Sequence, residues 1–231
     1  KSTTTKMVVA IARAHGLHVF TNPSTANIRQ GFFSAIIERS NLFGRIPGDI
    51  AILEMDEGHA ESITAEVAPR IVTLLNVLED QLDRFVDPAL VREKLAEVAD
   101  RATQTVLLNA DDQNILLIDK EKQLAEKQFF GIASNLLGES DLGVAPTYLS
   151  EIARPKVAAE VANLNGKRCT VHIAEREAIF DLPNRGLHYA LDAVAALSTV
   201  ASILGDQFDL ELAERVLNEP PPVFARGESV T

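Results

Sequence analysis

Lys1-Ser2-Thr3-Thr4-Thr5 runs without a break into Lys6-Met7-Val8-Val9-Ala10-Ile11-Ala12, and the reading of this junction decides the fold. A lysine and hydroxyl residues at the mouth of an apolar helix read as the second half of a phosphate-binding loop, G-x-x-x-x-G-K-[ST]. In the whole motif, backbone N–H groups cradle phosphate, the lysine reaches the terminal phosphates and the hydroxyl holds Mg²⁺. No glycine turn and no initiator methionine precede Lys1, so the chain is expected to start inside its own phosphate loop. A Ser/Thr run ahead of a helix is also an ordinary N-cap. Both readings stand until the rest of the chain is weighed.

The 231 residues are 46% hydrophobic, enough for one large core or a core with a small appendage. A net charge of −11 argues against nonspecific binding to nucleic acid or to an anionic membrane. It does not argue against a nucleotide, whose phosphates are held by a local lysine, a helix dipole and a metal. Cys169 is the single cysteine, which excludes an intrachain disulfide framework and a multi-cysteine zinc site, and suits a reducing cytoplasm. Residues 189–204 are the most apolar stretch, but Asp192, Ser198, Thr199 and Ser202 interrupt it, so it reads as a buried helix and not a membrane span. No signal peptide is visible.

The first half alternates short β-rich runs with helical patterns, which predicts an α/β fold: a parallel sheet with flanking crossover helices behind a P-loop. The opening helix should end at Gly16, with strands at 17–21, 50–53, 71–75 and 105–108 and helices at 30–38 and 88–102. Residues 119–166 are loosely patterned and read as an insertion, anchored by Phe129, Phe130, Leu136 and Leu137. Residues 168–174 and 178–182 form a hairpin pair, a small β-containing segment, before helices at 185–204 and 210–218. Pro220-Pro221-Pro222 then stops the fold. The domain is expected over 1–225, with 226–231 opening a linker.

Each early strand runs into a polar cluster: Thr21-Asn22-Pro23-Ser24, Glu54-Met55-Asp56-Glu57, Asn76 leading to Asp80 and Asp83, and Asn109-Ala110-Asp111-Asp112. In an open parallel sheet the carboxyl ends of the strands converge on the edge where ligands bind. Carboxylates beside a triphosphate make sense with a hard cation between them, and Mg²⁺ takes oxygen ligands. Any one cluster is ordinary turn chemistry; all of them together with a phosphate-loop lysine favour a nucleotide site. Asp80 and Arg84 read as a helix-surface pair. His15 and His18 read as solvated, His172 as structural, Cys169 as a buried small hydrophobe, and His188, opening the long helix, as a residue that either touches ligand or packs.

The order of these motifs, Lys-Ser-Thr-Thr-Thr, Thr-Asn-Pro-Ser, Leu-Glu-Met-Asp-Glu, Leu-Asn-Val-Leu-Glu-Asp-Gln-Leu-Asp-Arg and Leu-Asn-Ala-Asp-Asp, resembles the central ATPase domain of the Mur ligases. Within that family it is most similar to the MurT branch, the ligase-like half of lipid II isoglutaminyl synthase. The Asp80–Arg84 run carries that distinction, since amino-acid-adding relatives have histidine where Gln81 stands. Glu54, Asp56 and Glu57 and the closing Val223-Phe224-Ala225-Arg226-Gly227-Glu228 also fit.

The resemblance implies ATP-dependent amidation of the D-glutamate α-carboxylate of lipid II through an acyl phosphate, in the cytoplasm, with ammonia from a GatD-like glutaminase partner. It implies ATP contacts at Lys1, Ser2, Thr3, Asn22, Asn109, Asp111, His188 and Arg226. It implies Mg²⁺ on Ser2 and Glu54, with Asp56 or Glu57 as alternatives. The chain departs from the family in three places. Residues 119–166 hold no cysteine where MurT proteins often carry a zinc ribbon, so no zinc is expected. His188-Tyr189-Ala190-Leu191-Asp192 stands where the family reads Asn-x-x-Asn near adenine. The C-terminal domain that supplies a catalytic aspartate and the partner surface is expected beyond Arg226, so this stretch alone should be inactive. Another Mur or folylpolyglutamate-type ligase, a kinase, or a nucleotide-binding regulatory subunit are the alternatives.

Overall fold

The computed structural model describes residues 2–22, 29–77, 88–121, 124–136 and 152–219. Lys1, the run Asp80 to Arg84, Leu137, the triple proline and Arg226 lie outside the described residues.

Helix α1 (Ser2–Ala14) buries Met7, Val8, Ile11 and Ala12 at helical spacing. It ends where Gly16 takes φ +88°, the left-handed C′ conformation, and Leu17 N–H closes back on Ala12 O at 3.2 Å. Strands β1 (Val19–Phe20) and β2 (Ile50–Ala51) pair in parallel, with α2 (Arg29–Arg39) as their crossover. Both are shorter than the 17–21 and 50–53 that the β-rich runs predict.

After α3 (Glu57–Glu66) comes the main sheet, in the order β3 (Ile71–Leu74), β4 (Thr105–Asn109), β5 (Glu126–Ile132), β6 (Ala159–Asn165), β7 (Arg168–Ile173), β8 (Arg176–Asp181). The first four strands are parallel; β6, β7 and β8 form an antiparallel meander at one edge. Helices α4 (Pro88–Asp100) and α5 (Gln113–Glu121) cross over between parallel strands, and α6 (Leu187–Leu204) and α7 (Leu210–Asn218) follow the meander. Strand β4 is buried at every position, as a central parallel strand covered on both faces must be.

Two apolar cores lie against this sheet. On one face α1, α6 and α7 close over Leu107, Phe130, Ile132 and Val161. On the other, α3, α4 and α5 close over Val72, Leu74, Val106 and Leu108. Helix α6 alone buries Leu187, Leu191, Val194, Leu197 and Val200, each worth about 1.5–3 kcal/mol. By length and composition it is the one described helix able to cross a membrane, yet 61% of it is buried inside the fold, as the interrupting polar residues predict.

Part of the stretch 119–166, read as a loosely patterned insertion, belongs to the sheet. Its strand β5 is central, with Phe130 and Ile132 fully buried, and β6 pairs with it at Phe130↔Ala159. The polar first half of β5 (Glu126, Lys127, Gln128) is exposed or half-buried, which shortens the apolar signal. At the far edge, the second half of β8 meets α7. Ile179 N–H donates to Glu214 Oε2 at 3.0 Å and Asp181 N–H to Asn218 Oδ1 at 2.9 Å.

Candidate functional site

Two residues beyond β1 and three beyond β2, side chains take over from the ladder. Asn22 Nδ2 donates to Glu54 O at 2.8 Å and Asn22 Oδ1 accepts from Glu54 N–H at 3.0 Å. Both residues are buried, at 6% and 7% exposure, so neither polar group could stand there unpaired without cost. The pair fixes Glu54 at the carboxyl end of β2, and Ser2 Oγ, at the head of α1, donates to Glu54 Oε1 at 2.8 Å. Residues 52 apart in sequence thus bring a hydroxyl and a carboxylate together where the first N–H groups of α1 lack helical partners and its dipole favours anions.

Asp56 is the N-cap of α3, accepting from Gly58 N–H at 3.0 Å, and Glu57 is buried in that helix's first turn. Ser2 and Glu54 offer the hard oxygen donors that Mg²⁺ takes. Asp56, already capping a helix, is the less available of the alternatives.

The Asn109-Ala110-Asp111-Asp112 cluster, in which Asn109 and Asp111 are expected to touch nucleotide, binds neighbouring strand ends to one another. Asn109 Nδ2 donates to Leu75 O at 2.7 Å, tying the end of β4 to that of β3. Asp111, only 1% exposed in its side chain, accepts from Ile132 N–H at 2.7 Å and pairs with Arg154 Nε at 2.7 Å. Arg154 Nη2 in turn donates to Ile132 O at 2.7 Å. Asp112 accepts from Val77 N–H at 2.7 Å and caps α5 through the N–H groups of Asn114 and Ile115. Burial pushes its carboxyl above the usual range in spite of those donors. These carboxylates join strand ends to one another. Gly131 leaves room for the Asp111–Arg154 pair: a Cβ there would stand 2.4 Å from Asp111 Oδ2.

At the start of α6, His188 is exposed and lies against Tyr189, ring centroids 4.2 Å apart. Four residues on, Asp192 accepts a hydrogen bond from Thr4 Oγ1 in the first turn of α1. Burial raises the Asp192 carboxyl, against the Thr4 hydroxyl and His188. Sequence reading marks Asp192 as a departure from Asn-x-x-Asn but gives no sign of its partner. Arg154 carries no motif at all and emerges only from the fold. His15 is not simply solvated: it stacks on Phe208 and its Nε2 meets Asp209 N at 3.1 Å, joining α1 to α7.

No family model matches the chain. Among curated proteins it is 31% identical over 112 residues to the MurT subunit of lipid II isoglutaminyl synthase from Staphylococcus aureus, covering 48% of this chain and 25% of that protein. It is 27% identical over 206 residues to UDP-N-acetylmuramoylalanine–D-glutamate ligase of Aromatoleum aromaticum, covering 89% of this chain and 39% of that one. The chain therefore spans well under half the length of these relatives. Among solved structures it is similar to a pseudomurein peptide ligase type C from Methanothermus fervidus, with TM-score 0.69 and 19% identity over 96% of this chain and 48% of that one. It is likewise similar to MurF ligase from Thermotoga maritima in complex with ADP, with TM-score 0.64 and 15% identity over 92% of this chain and 45% of that one. The fold is that of these ligases' α/β domain.

Proposed function

We propose that this chain is the nucleotide-binding domain of an ATP-dependent ligase of peptidoglycan assembly, and that the intact protein amidates the D-glutamate α-carboxylate of lipid II to D-isoglutamine. The observation that carries the reading is the Ser2–Glu54–Asn22 cluster at the head of α1, in a fold shared with peptide-forming ligases. The similarity to MurT supports the choice of amidation.

In this reading the γ-phosphoryl group of ATP passes to the acceptor carboxylate, giving an acyl phosphate and ADP. Ammonia then attacks the acyl carbon, and phosphate leaves. A glutaminase subunit of the GatD type supplies the ammonia in the cytoplasm. Ser2 Oγ and Glu54 would hold Mg²⁺, which when bound offsets phosphate charge. The chain's own contribution is positioning and electrostatics: α1 presents N–H groups to phosphate, Lys1 meets the β- and γ-phosphates, and Asn22 keeps Glu54 from turning away.

A second reading, a ligase that adds an amino acid instead of ammonia, is favoured by the wider span of the match to the D-glutamate ligase. The test offers lipid II and ATP to the intact protein, with glutamine and a glutaminase in one arm and D-glutamate with the nucleotide-linked acceptor in the other. Mass spectrometry reads the product. A loss of about 1 Da from the lipid II acceptor, –OH replaced by –NH₂, supports amidation; product in the D-glutamate arm alone overturns it. Glu54→Gln keeps the shape and removes the charge, and should lower turnover by roughly a hundredfold or more. Near-parent turnover at limiting Mg²⁺ would pass the metal to Glu57 or Asp56.

A further inference from the structure

We infer that Asp192, acting through the Thr4 hydroxyl, is a positioning residue that holds the first turn of α1, and with it Ser2, in place for the nucleotide. The inference rests on the nucleotide-site reading above and adds a residue to it.

The two side chains stand 188 positions apart and meet between α1 and α6, the helices that close one face of the sheet. Thr4 is buried at 5% exposure, and its hydroxyl is spent on Asp192. It follows Ser2 by two residues, so whatever fixes Thr4 fixes the turn that carries the Ser2 Oγ to Glu54. Helix α6 is a rigid support for this purpose. It is eighteen residues long, and its core face is set in the apolar cluster with Ile71 of β3, Leu107 of β4, Phe130 of β5, Val161 of β6 and Val171 of β7. Those strands turn apolar groups toward it. Among the described residues, the charged group that acts on Asp192 is His188 on its own helix.

An aspartate in this role has a consequence that an asparagine would lack. A carboxylate bonded to the first turn of α1 would repel phosphates held at that helix's amino end, whereas a protonated carboxyl would not, so nucleotide binding should draw a proton onto Asp192. Burial already raises this group in the free protein, and a bound polyanion raises it further. Affinity should therefore fall as pH rises through the Asp192 titration. Asparagine at 192 can still accept from Thr4 but cannot ionise.

The experiment is calorimetry of Mg²⁺-ATP binding to the intact protein from pH 5 to 8, in two buffers of different ionisation enthalpy. It compares the parent with Thr4→Ser, Thr4→Val, Asp192→Asn, Asp192→Leu and the double Thr4→Val/Asp192→Leu. Melting temperatures show that each is folded. Thr4→Val and Asp192→Leu should each weaken binding about tenfold at pH 7, and the double should be no worse than either single. Thr4→Ser and Asp192→Asn should bind within about threefold of the parent. The nucleotide's own terminal phosphate titrates in the same range, so the readout is the difference between profiles: Asp192→Asn should take up fewer protons than the parent.

Additive losses in the double variant, folded Asp192→Leu with parent affinity, or equal proton uptake in Asp192→Asn and parent would each overturn the assignment. A parent that binds no Mg²⁺-ATP would instead overturn the nucleotide site itself.

Discussion

Adding a single methyl group at Gly131 tests how firmly the strand ends are held. Strand β5 passes Asp111 and Arg154 so closely that an alanine Cβ would stand 2.4 Å from Asp111 Oδ2 and 2.7 Å from Arg154 Nη2. No Cβ tolerates such contacts, so the pair must separate or the strand must shift. Asp111 is almost fully buried, while Arg154 keeps 30% of its side chain exposed. Breaking a buried pair costs about 3–5 kcal/mol, and the partial exposure of Arg154 discounts that. Overpacking by one methyl adds roughly 1–3 kcal/mol where it cannot be relieved. Relief of one term is cost in the other, so Gly131→Ala should lose about 3 kcal/mol. Urea unfolding of the intact protein is the assay, and with a slope of about 3 kcal/mol/M the midpoint should fall by about 1 M. Asp111→Ala removes the obstructing carboxylate, so Gly131→Ala in that background should cost less than about 1 kcal/mol more. A loss below about 0.5 kcal/mol for Gly131→Ala alone would refute the reasoning.

Lys1→Ala should lower Mg²⁺-ATP affinity by more than about tenfold, some 1.4 kcal/mol, because a point charge opposite the β- and γ-phosphates is gone; unchanged affinity by calorimetry would remove Lys1 from the phosphate loop. Cys169 has no exposed surface and burial pushes its thiol up to about 12, so it should resist alkylation at pH 8 until the protein unfolds. Rapid labelling of native protein would contradict its burial. Ala174 and Glu175 turn the β7–β8 hairpin with φ of +49° and +61°, a conformation that suits Asn-Gly. Ala174→Asn/Glu175→Gly should therefore raise stability by about 1 kcal/mol, read as a higher urea midpoint; a fall would mean that Ala174 and Glu175 hold the turn by contacts of their own.

The parallel sheet was legible because its strands are β-branched or leucine runs bounded by turn residues, and α7 was legible from a clean amphipathic pattern. Strands β1 and β2 were over-read: beyond two residues, Asn22 supplies by side chain the bonds that backbone would have made. Helix α5 escaped notice because its apolar run, Ile115 to Ile118, is short, although Asp112 before it is a plain cap. Ser2, Asn22 and Glu54 could be singled out in the sequence because a phosphate loop and strand-end carboxylates have positions that can be anticipated, and the fold brings the three together. The bonds that Asn109 and Asp111 make to neighbouring strands were not legible, because an Asx-rich strand end looks alike whether it faces a ligand or sews up a neighbouring strand. The Asp192–Thr4 and Asp111–Arg154 contacts lie 188 and 43 residues apart, and no local pattern encodes either.

The way α7 meets β8 also limits how this domain can be joined to others. A bare edge strand is an invitation: any extended segment, from a partner or from another copy, can add itself to the ladder. Here Glu214 and Asn218 answer the outward amides of Ile179 and Asp181 with side-chain oxygens. A newcomer would have to evict a helix that is itself anchored against α1. From Ile179 to Asp181 that border is closed to strands. Any subunit approaching from this side must come as a surface laid against a helix, with contacts that can be dismantled without unpicking the sheet.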